Sequence, residues 1–249
     1  MLILLGFLCF IVGVLLLLVG AVAHASALTS TGAVLVVAAV IAIVAVRRPM
    51  RKVRDQRVPY LADKFGLSFS PTDPFGLTAA GLPFDVFQQR GVELRNVMWG
   101  RILGCELKGF DVRYETYGGS DVGWTYTEWQ FAALGELPAE CPPLTIVRGP
   151  AAATSDRPKV RFESADFDRE FTVLCADRRF ATALIDQRLM AWLLDGVPRS
   201  VVFEVSGRYV LGSKRDGTEE GTEIIQVFPA VAGFISRVPP VVSSLYPQK

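Results

Sequence analysis

The sequence predicts an α+β protein, with an N-terminal transmembrane helical hairpin followed by a soluble, mainly antiparallel β domain with covering helices. Three observations carry that expectation. Residues 1–46 contain no Asp, Glu, Lys or Arg, while all 26 basic and 25 acidic side chains of the 249-residue chain lie from Arg47 onward. A dense run of basic residues stands at that junction. Beyond it, short runs rich in Val, Tyr, Trp and Phe give way to segments of helical periodicity.

The hairpin comes first. Leu2 to Ala23 is continuously apolar or glycine. At 1.5 Å per residue a helix of that length reaches about 33 Å, enough for a hydrocarbon core of about 30 Å. Leu28 to Val46 reaches about 28 Å on the same arithmetic. Between them, His24-Ala25-Ser26-Ala27 allows only a tight turn, because backbone groups in lipid must be satisfied within their own helix. Helices over about 2–23 and 28–46 are therefore expected, with both ends on one side. Gly13 and Gly20 on the first, and Ala38, Ala39, Ala42 and Ala45 on the second, would let them approach closely. A cleaved signal peptide is the competing expectation, since Ala23-His24-Ala25 fits a small-x-small site. Against it, the segment has no basic n-region and its apolar stretch is too long.

Arg47, Arg48, Arg51, Lys52, Arg54 and Arg57 follow, against one acid, Asp55. That segment carries about +5, so a whole-chain charge of +1 leaves residues 58–249 near −4. The positive-inside bias assigns such a cluster, and with it both termini and the domain, to the cytoplasmic side of the inner (plasma) membrane. These six residues are the candidate membrane-surface and topology residues, and the lipid bilayer is the expected partner, with room for a protein partner at the membrane. A mildly acidic domain lacks the field that holds phosphate backbones, so nucleic acid is not expected.

Residues 47–66 read as a basic juxtamembrane segment and a short helix, Val53 to Phe65, ended by Gly66, lying along the membrane surface, with Pro59 predicting a break. Residues 67–91, carrying Pro71, Pro74, Gly76 and Gly81, read as a linker. The soluble domain is expected over 92–249. Aromatic and β-branched residues from Val92 to Val147 predict a β-hairpin around Gly118-Gly119-Ser120-Asp121, with further short strands at Leu144–Val147, Val160–Phe162 and Phe171–Cys175. Ile185, Leu189, Trp192 and Leu193 give one apolar face to a helix from Arg178 to Leu194, capped by Asp177 and ended by Gly196 and Pro198. Val201–Val205 and Arg208–Leu211 predict a second hairpin about Ser206-Gly207. A last helix runs from about Thr222 to Arg237, kinked at Pro229 and stopped by Pro239-Pro240.

No residue is assigned to catalysis, to a cofactor or to a metal, and an enzyme is not expected. Cys9, Cys105, Cys141 and Cys175 show no CxxC spacing, and the one histidine, His24, lies between the apolar segments. Gly118 to Gly123 lacks the Gly-Lys-Ser/Thr ending of a phosphate loop and reads as a hairpin turn. Glu163, Asp166, Asp168 and Glu170 offer the one carboxylate cluster; Asp166, Asp168 and Glu170 resemble part of a calcium loop without its glycine and terminal glutamate, and read as solvated charges at a strand entry. Arg178 and Arg179 stand at a helix start, where the dipole disfavours cations, and read as surface ion-pair partners. Trp99, Trp124, Trp129 and Trp192 read as core.

The stretch Phe162-Glu163-Ser164-Ala165-Asp166-Phe167-Asp168-Arg169-Glu170-Phe171-Thr172-Val173, then Arg179-Phe180-Ala181 and Leu189-Met190-Ala191-Trp192-Leu193-Leu194, resembles a group of uncharacterised bacterial two-pass membrane proteins. They share an E-S-x-x-F-x-x-x-F-x-V strand and an L-M-x-W-L-L helix. The resemblance implies the same order of hairpin, basic segment and α+β domain, and it carries over no catalytic residue because the motif positions are mainly apolar. Twenty arginines to six lysines also suit a high-GC bacterial genome. The expected function is a membrane-tethered cytoplasmic binding or scaffolding module. The alternative is a lipid or small apolar-ligand binding domain at the membrane surface, suggested by the aromatic-rich strands; a carboxylate-based enzyme comes third.

Overall fold

A computed structural model describes residues 54–118, 124–149, 157–215 and 222–248. The chain divides into two units, 1–57 and 58–249. The two expected spanning helices fall outside the described residues, and among the described residues no helix is long and apolar enough to cross a membrane. The described residues of 58–249 form a seven-stranded sheet whose described pairings are antiparallel, covered by helices, as the α+β expectation requires.

The first described element is α1 (54–64), which runs through Pro59 without the expected break. Its buried side chains, Val58 and Ala62, are four apart and so share one face. Gly66, at φ +65°, ends it in a left-handed conformation that L side chains resist. The chain enters β1 (Ser68–Thr72) and pairs with β2 (Arg90–Ile102). A two-residue tip, Leu103-Gly104, returns it as β3 (Cys105–Gly118). Both tip residues have positive φ, +49° and +84°, as this tightest of hairpins demands. A leucine there costs about 1–2 kcal/mol that glycine would not, because its Cβ crowds the carbonyl.

The central strand is β4 (Trp124–Arg148), 25 residues long. Its pairing with β3, in the register Gly118↔Trp124 to Leu107↔Gly135, is the hairpin expected around Gly118, though the turn itself lies outside the described residues. Leu144–Val147, expected as a separate strand, is the far end of β4. There it pairs with β6 (Phe171–Cys175), which in turn pairs with β5 (Lys159–Val160). Pro138, Pro142 and Pro143 fall between the two ladders and have no N–H to donate. Part of the gap is filled from the C-terminal end, where Glu140 N–H donates to Tyr246 C=O at 2.9 Å and Gln248 Nε2 to Leu137 C=O at 2.7 Å.

Along its other side β4 pairs with β7 (Val201–Arg215). The sequence predicts a reversal at Ser206-Gly207; instead one strand continues through it. Gly207 adopts φ +56° opposite Cys141, where the register shifts. A left-handed glycine serves a bulge as readily as a turn, and β4's irregular stretch requires a bulge. The helix expected from Arg178 to Leu194 is likewise two helices, α3 (Arg178–Leu184) and α4 (Gln187–Gly196). Asp186 separates them by accepting from Leu189 N–H at 2.8 Å as the N-cap of the second.

Each face of the sheet has its own core. On one, α5 (Thr222–Ile235) lies across β3, β4 and β7, with Pro229 inside it and exposed. The row beneath is Gly109, Ala133 and Gly212, and the next pairs Leu107 with Gly135. A methyl group on Gly109 would overlap the Phe228 ring, and one on Gly212 would overlap Val231. Small residues thus let the helix sit close, with Phe131 against Phe228 at 5.7 Å and Phe203 stacked on Phe234 at 5.1 Å. The C-terminal helix α6 (Pro240–Leu245) joins this side, burying Val242.

The second face is covered by the segment expected to be a linker. Leu77, Leu82, Phe84 and Val86 are buried against Leu94, Val97, Phe110, Val112, Leu134 and Leu211, with Phe87 against Phe110 at 5.9 Å. Turns hold this cover in shape. Asp73 accepts from the N–H of Phe75 and of Thr78, at 3.0 and 3.2 Å, and a short 3-10 turn spans Asp85–Gln88. Composition marked 67–91 as punctuation, but apolar residues between the glycines and prolines make it part of the fold.

Candidate functional site

Of the six basic residues singled out, Arg47, Arg48, Arg51 and Lys52 lie outside the described residues. Arg54 and Arg57 lie on α1, where Arg57 is exposed and Arg54 is half-buried and engaged. His24 and Cys9 are also outside the described residues. Val58, the residue after Arg57, is 1% exposed and belongs to the helix-covered core. The domain therefore begins at the end of the basic segment, not at residue 92.

Asp166, Asp168 and Glu170 occupy a short helix where a strand entry was expected, α2 (Ala165–Glu170), capped by Ser164, which accepts from Phe167 N–H at 3.3 Å. They do not converge on a common point. Asp168 accepts from Phe162 N–H at 3.1 Å, Asp166 pairs with Arg169 at 3.1 Å, and Glu170 pairs with Arg148. Glu163 is exposed at the rim of a shallow surface hollow shared with Arg161, Phe162, Ala165, Asp168 and Arg169. General acid–base work needs a group positioned against the proton it transfers, and these three are committed to separate local bonds. Among the described residues no three His, Cys, Asp or Glu side chains are grouped to hold a metal ion.

What sequence reasoning missed is Arg148. Its side chain, 12% exposed, bonds Glu170 through Nη1, and its Nη2 donates to Leu193 C=O at 2.9 Å, with Leu194 and Val197 carbonyls at 3.3 and 3.4 Å. The guanidinium also lies 4.5 Å from the Phe171 ring centroid. A cation placed on the last carbonyls of α4 satisfies acceptors that the helix cannot and opposes the negative end of its dipole. One side chain thus fastens β4, α2 and α4. The only sequence signal was a charge ending the apolar run Leu144–Val147.

The motif residues behave as packing and capping groups. Phe167 stacks on Phe171 at 5.0 Å, Val173 is buried, and Leu189 and Leu193 face the core. Trp192 packs on Phe203 with Arg237 over its ring at 4.9 Å, and Trp99 is half-buried in the second core. Arg178 and Arg179 are exposed, and the expected cap is made, with Asp177 accepting from Phe180 N–H at 2.9 Å.

Asp177 also takes the Tyr246 hydroxyl at 2.7 Å. That hydrogen bond first, then the Phe180 amide, hold the Asp177 carboxyl below its usual range. Burial and the facing carboxylate push the Tyr246 hydroxyl up to about 12. The three described cysteines, Cys105, Cys141 and Cys175, are not activated toward the thiolate. Burial raises the thiols of Cys105 and Cys175, and pushes Cys141 up to about 12, so none is a thiolate at neutral pH.

No family model and no curated protein matches this chain. Among solved structures, the crystal structure of the mycobacterial trehalose monomycolate transport factor A, TtfA, is similar at a TM-score of 0.49 and 13% sequence identity, covering 75% of this chain and 98% of that one. Nothing about this chain's function follows from a likeness of that degree.

Proposed function

We propose that this chain is a membrane-tethered binding module whose α+β domain is held at the cytoplasmic face of the inner membrane. The uncharged segment over 1–46 would form the spanning hairpin, and the basic residues after it would set the orientation. One observation carries the reading: Val58, buried in the core, directly follows Arg57. The core of the domain thus begins at the residue after the basic cluster, and eleven residues, 47–57, separate it in sequence from the uncharged segment. The committed carboxylates and unreactive thiols favour binding over chemistry.

The test is fractionation and topology of the full-length protein. The expected result is that it stays in the membrane pellet through alkaline carbonate, and that a reporter fused after Lys249 is active only in the cytoplasm. A protein that remains soluble after ultracentrifugation without detergent, or a reporter active only outside, would overturn the reading. The apolar-ligand alternative meets a filled seam beneath α5, where added methyl groups at Gly109, Gly135 and Gly212 would strike Phe228, Leu107 and Val231. A lipid would find no room at these three positions.

A further inference from the structure

Residues 240–248 are held more lightly than what they cover. Val242 is the one buried residue among them, and α6, six residues long, is too short to be stable by itself. Among the described residues, three bonds fasten this arm to the rest of the domain. Glu140 N–H donates to Tyr246 C=O at 2.9 Å, the Tyr246 hydroxyl to Asp177 at 2.7 Å, and Gln248 Nε2 to Leu137 C=O at 2.7 Å. The Tyr246 ring stands edge-on to Phe180 at 5.2 Å. Tyr246 is half-buried and Gln248 exposed, so water reaches these fastenings. A segment with one buried anchor and accessible bonds opens at a lower free energy than the domain as a whole.

The seat beneath keeps its shape without the arm. Asp177 gives Tyr246 only one carboxylate oxygen; the other accepts from Phe180 N–H at 2.9 Å as the cap of α3. Phe180 is buried in the helix-covered core. Leu137 and Glu140 belong to β4, which pairs with β7 on either side of them through Glu136↔Tyr209 and Cys141↔Gly207. Pro138, Pro142 and Pro143 leave that stretch few amides, so it selects its occupant less as a strand than by particular groups. Those groups call for a carbonyl at Glu140 N–H, an aromatic hydroxyl between Phe180 and Asp177, and an amide donor two residues further on for Leu137 C=O. The link to α5 is extended, with Pro239 at φ −65° and ψ 140° and Pro240 opening α6. Two prolines there mean that an arm off its seat cannot be wound into α5.

We propose that residues 240–248 are an exchangeable arm, which leaves its seat without the sheet unfolding, and that the seat then takes the same segment of a second copy of this chain. Complementarity by identity selects the occupant, since every copy carries the carbonyl, the tyrosine and the amide at the spacing the seat calls for. Reciprocal exchange fills both seats and closes on a two-fold pair, with no contact beyond those already described. The exchange does not depend on the tether proposed above.

The first test needs no variant. In hydrogen exchange of the full-length protein in detergent micelles, the Glu140 amide should exchange about tenfold or more faster than the amides of residues 130–135, which β3 and β7 flank. Equal rates would mean that the arm leaves only when the domain unfolds, and would overturn the proposal. The second test mixes two full-length populations carrying different tags. Tyr246→Ala weakens the arm and leaves the seat. Asp177→Ser weakens the seat and leaves the arm, because serine still caps α3 but is too short for the Tyr246 hydroxyl. Neither variant alone has a sound arm and seat, whereas each mixed pair has one of both. Co-purification of the two tags is expected to be several-fold greater from that mixture than from either variant mixed with itself. No such gain, alongside fast exchange at Glu140, would overturn the second copy as the occupant. Association of wild-type copies that survives when both populations carry Tyr246→Ala would place the contact elsewhere and overturn the arm's part in it.

Discussion

The two faces of the sheet are closed by opposite means. Beneath α5 the strands present almost no side chain at Gly109, Gly135 and Gly212, and the helix supplies the bulk through Phe228 and Val231. On the other face the strands supply the bulk, Phe110, Val112 and Leu94, and the cover is a run of turns pinned by Leu77, Leu82, Phe84 and Val86. Regularity of the cover is therefore not what decides whether a sheet face is dry. What matters is whether apolar volume arrives from one side or the other.

The largest effect that would test the contrast is Phe228→Ala, which removes the bulk from the glycine-lined face and should cost about 4 kcal/mol. Urea unfolding of the full-length protein, followed by tryptophan fluorescence, would measure it. Phe84→Ala should cost about 3 kcal/mol by the same assay, since that residue is buried as fully as Phe228. A loss below about 1 kcal/mol would mean that the turns are draped over a face already closed, and the contrast would fail.

Smaller effects probe the polar fastenings of the helical side. Arg148→Met keeps the stem but strands Glu170 and the α4 carbonyls, at an expected cost of about 2 kcal/mol. Hydrogen exchange should then quicken first in the last turn of α4. Tyr246→Phe, the mildest, should cost about 1 kcal/mol near neutral pH and change the pH profile. The lowered carboxyl of Asp177 contributes stability that is present above its ordinary value of 3.8 and lost as pH falls through the lowered one. The raised hydroxyl of Tyr246 contributes stability that is present below its ordinary value of 10.0 and lost as pH rises toward about 12. In the variant the alkaline loss should vanish and the acid loss should shrink, as read from urea midpoints across both ranges.

What the sequence made legible was local. The β3–β4 hairpin, β6, the Asp177 cap, the apolar face through Leu189 and Leu193, and α5 all rest on residues a few positions apart. What it hid depends on partners far along the chain. Gly207 reads as a turn until β4 is known to bulge beside it, and Arg148 reads as a loop charge until Glu170 and Leu193 are brought to it. The 67–91 stretch failed differently, because its glycines and prolines outweighed its apolar residues, and Leu82, Phe84 and Val86 alternate as in a strand over what folds as turns and a 3-10 segment. The basic cluster was visible as charge, and Arg54 and Arg57 are its described members. The Leu103-Gly104 tip was not, since one exposed leucine is ordinary and only its backbone angle marks it.

The closure of β4 by Gln248, 111 residues downstream of Leu137, also has a bearing on manufacture at the ribosome. A nascent chain that has emerged as far as α4 already holds the whole of that strand, but its proline-broken stretch must wait until residue 248 has emerged as well. During that interval the prolines are its own guard, because a stretch that donates so few amides is a poor template for a neighbouring polypeptide.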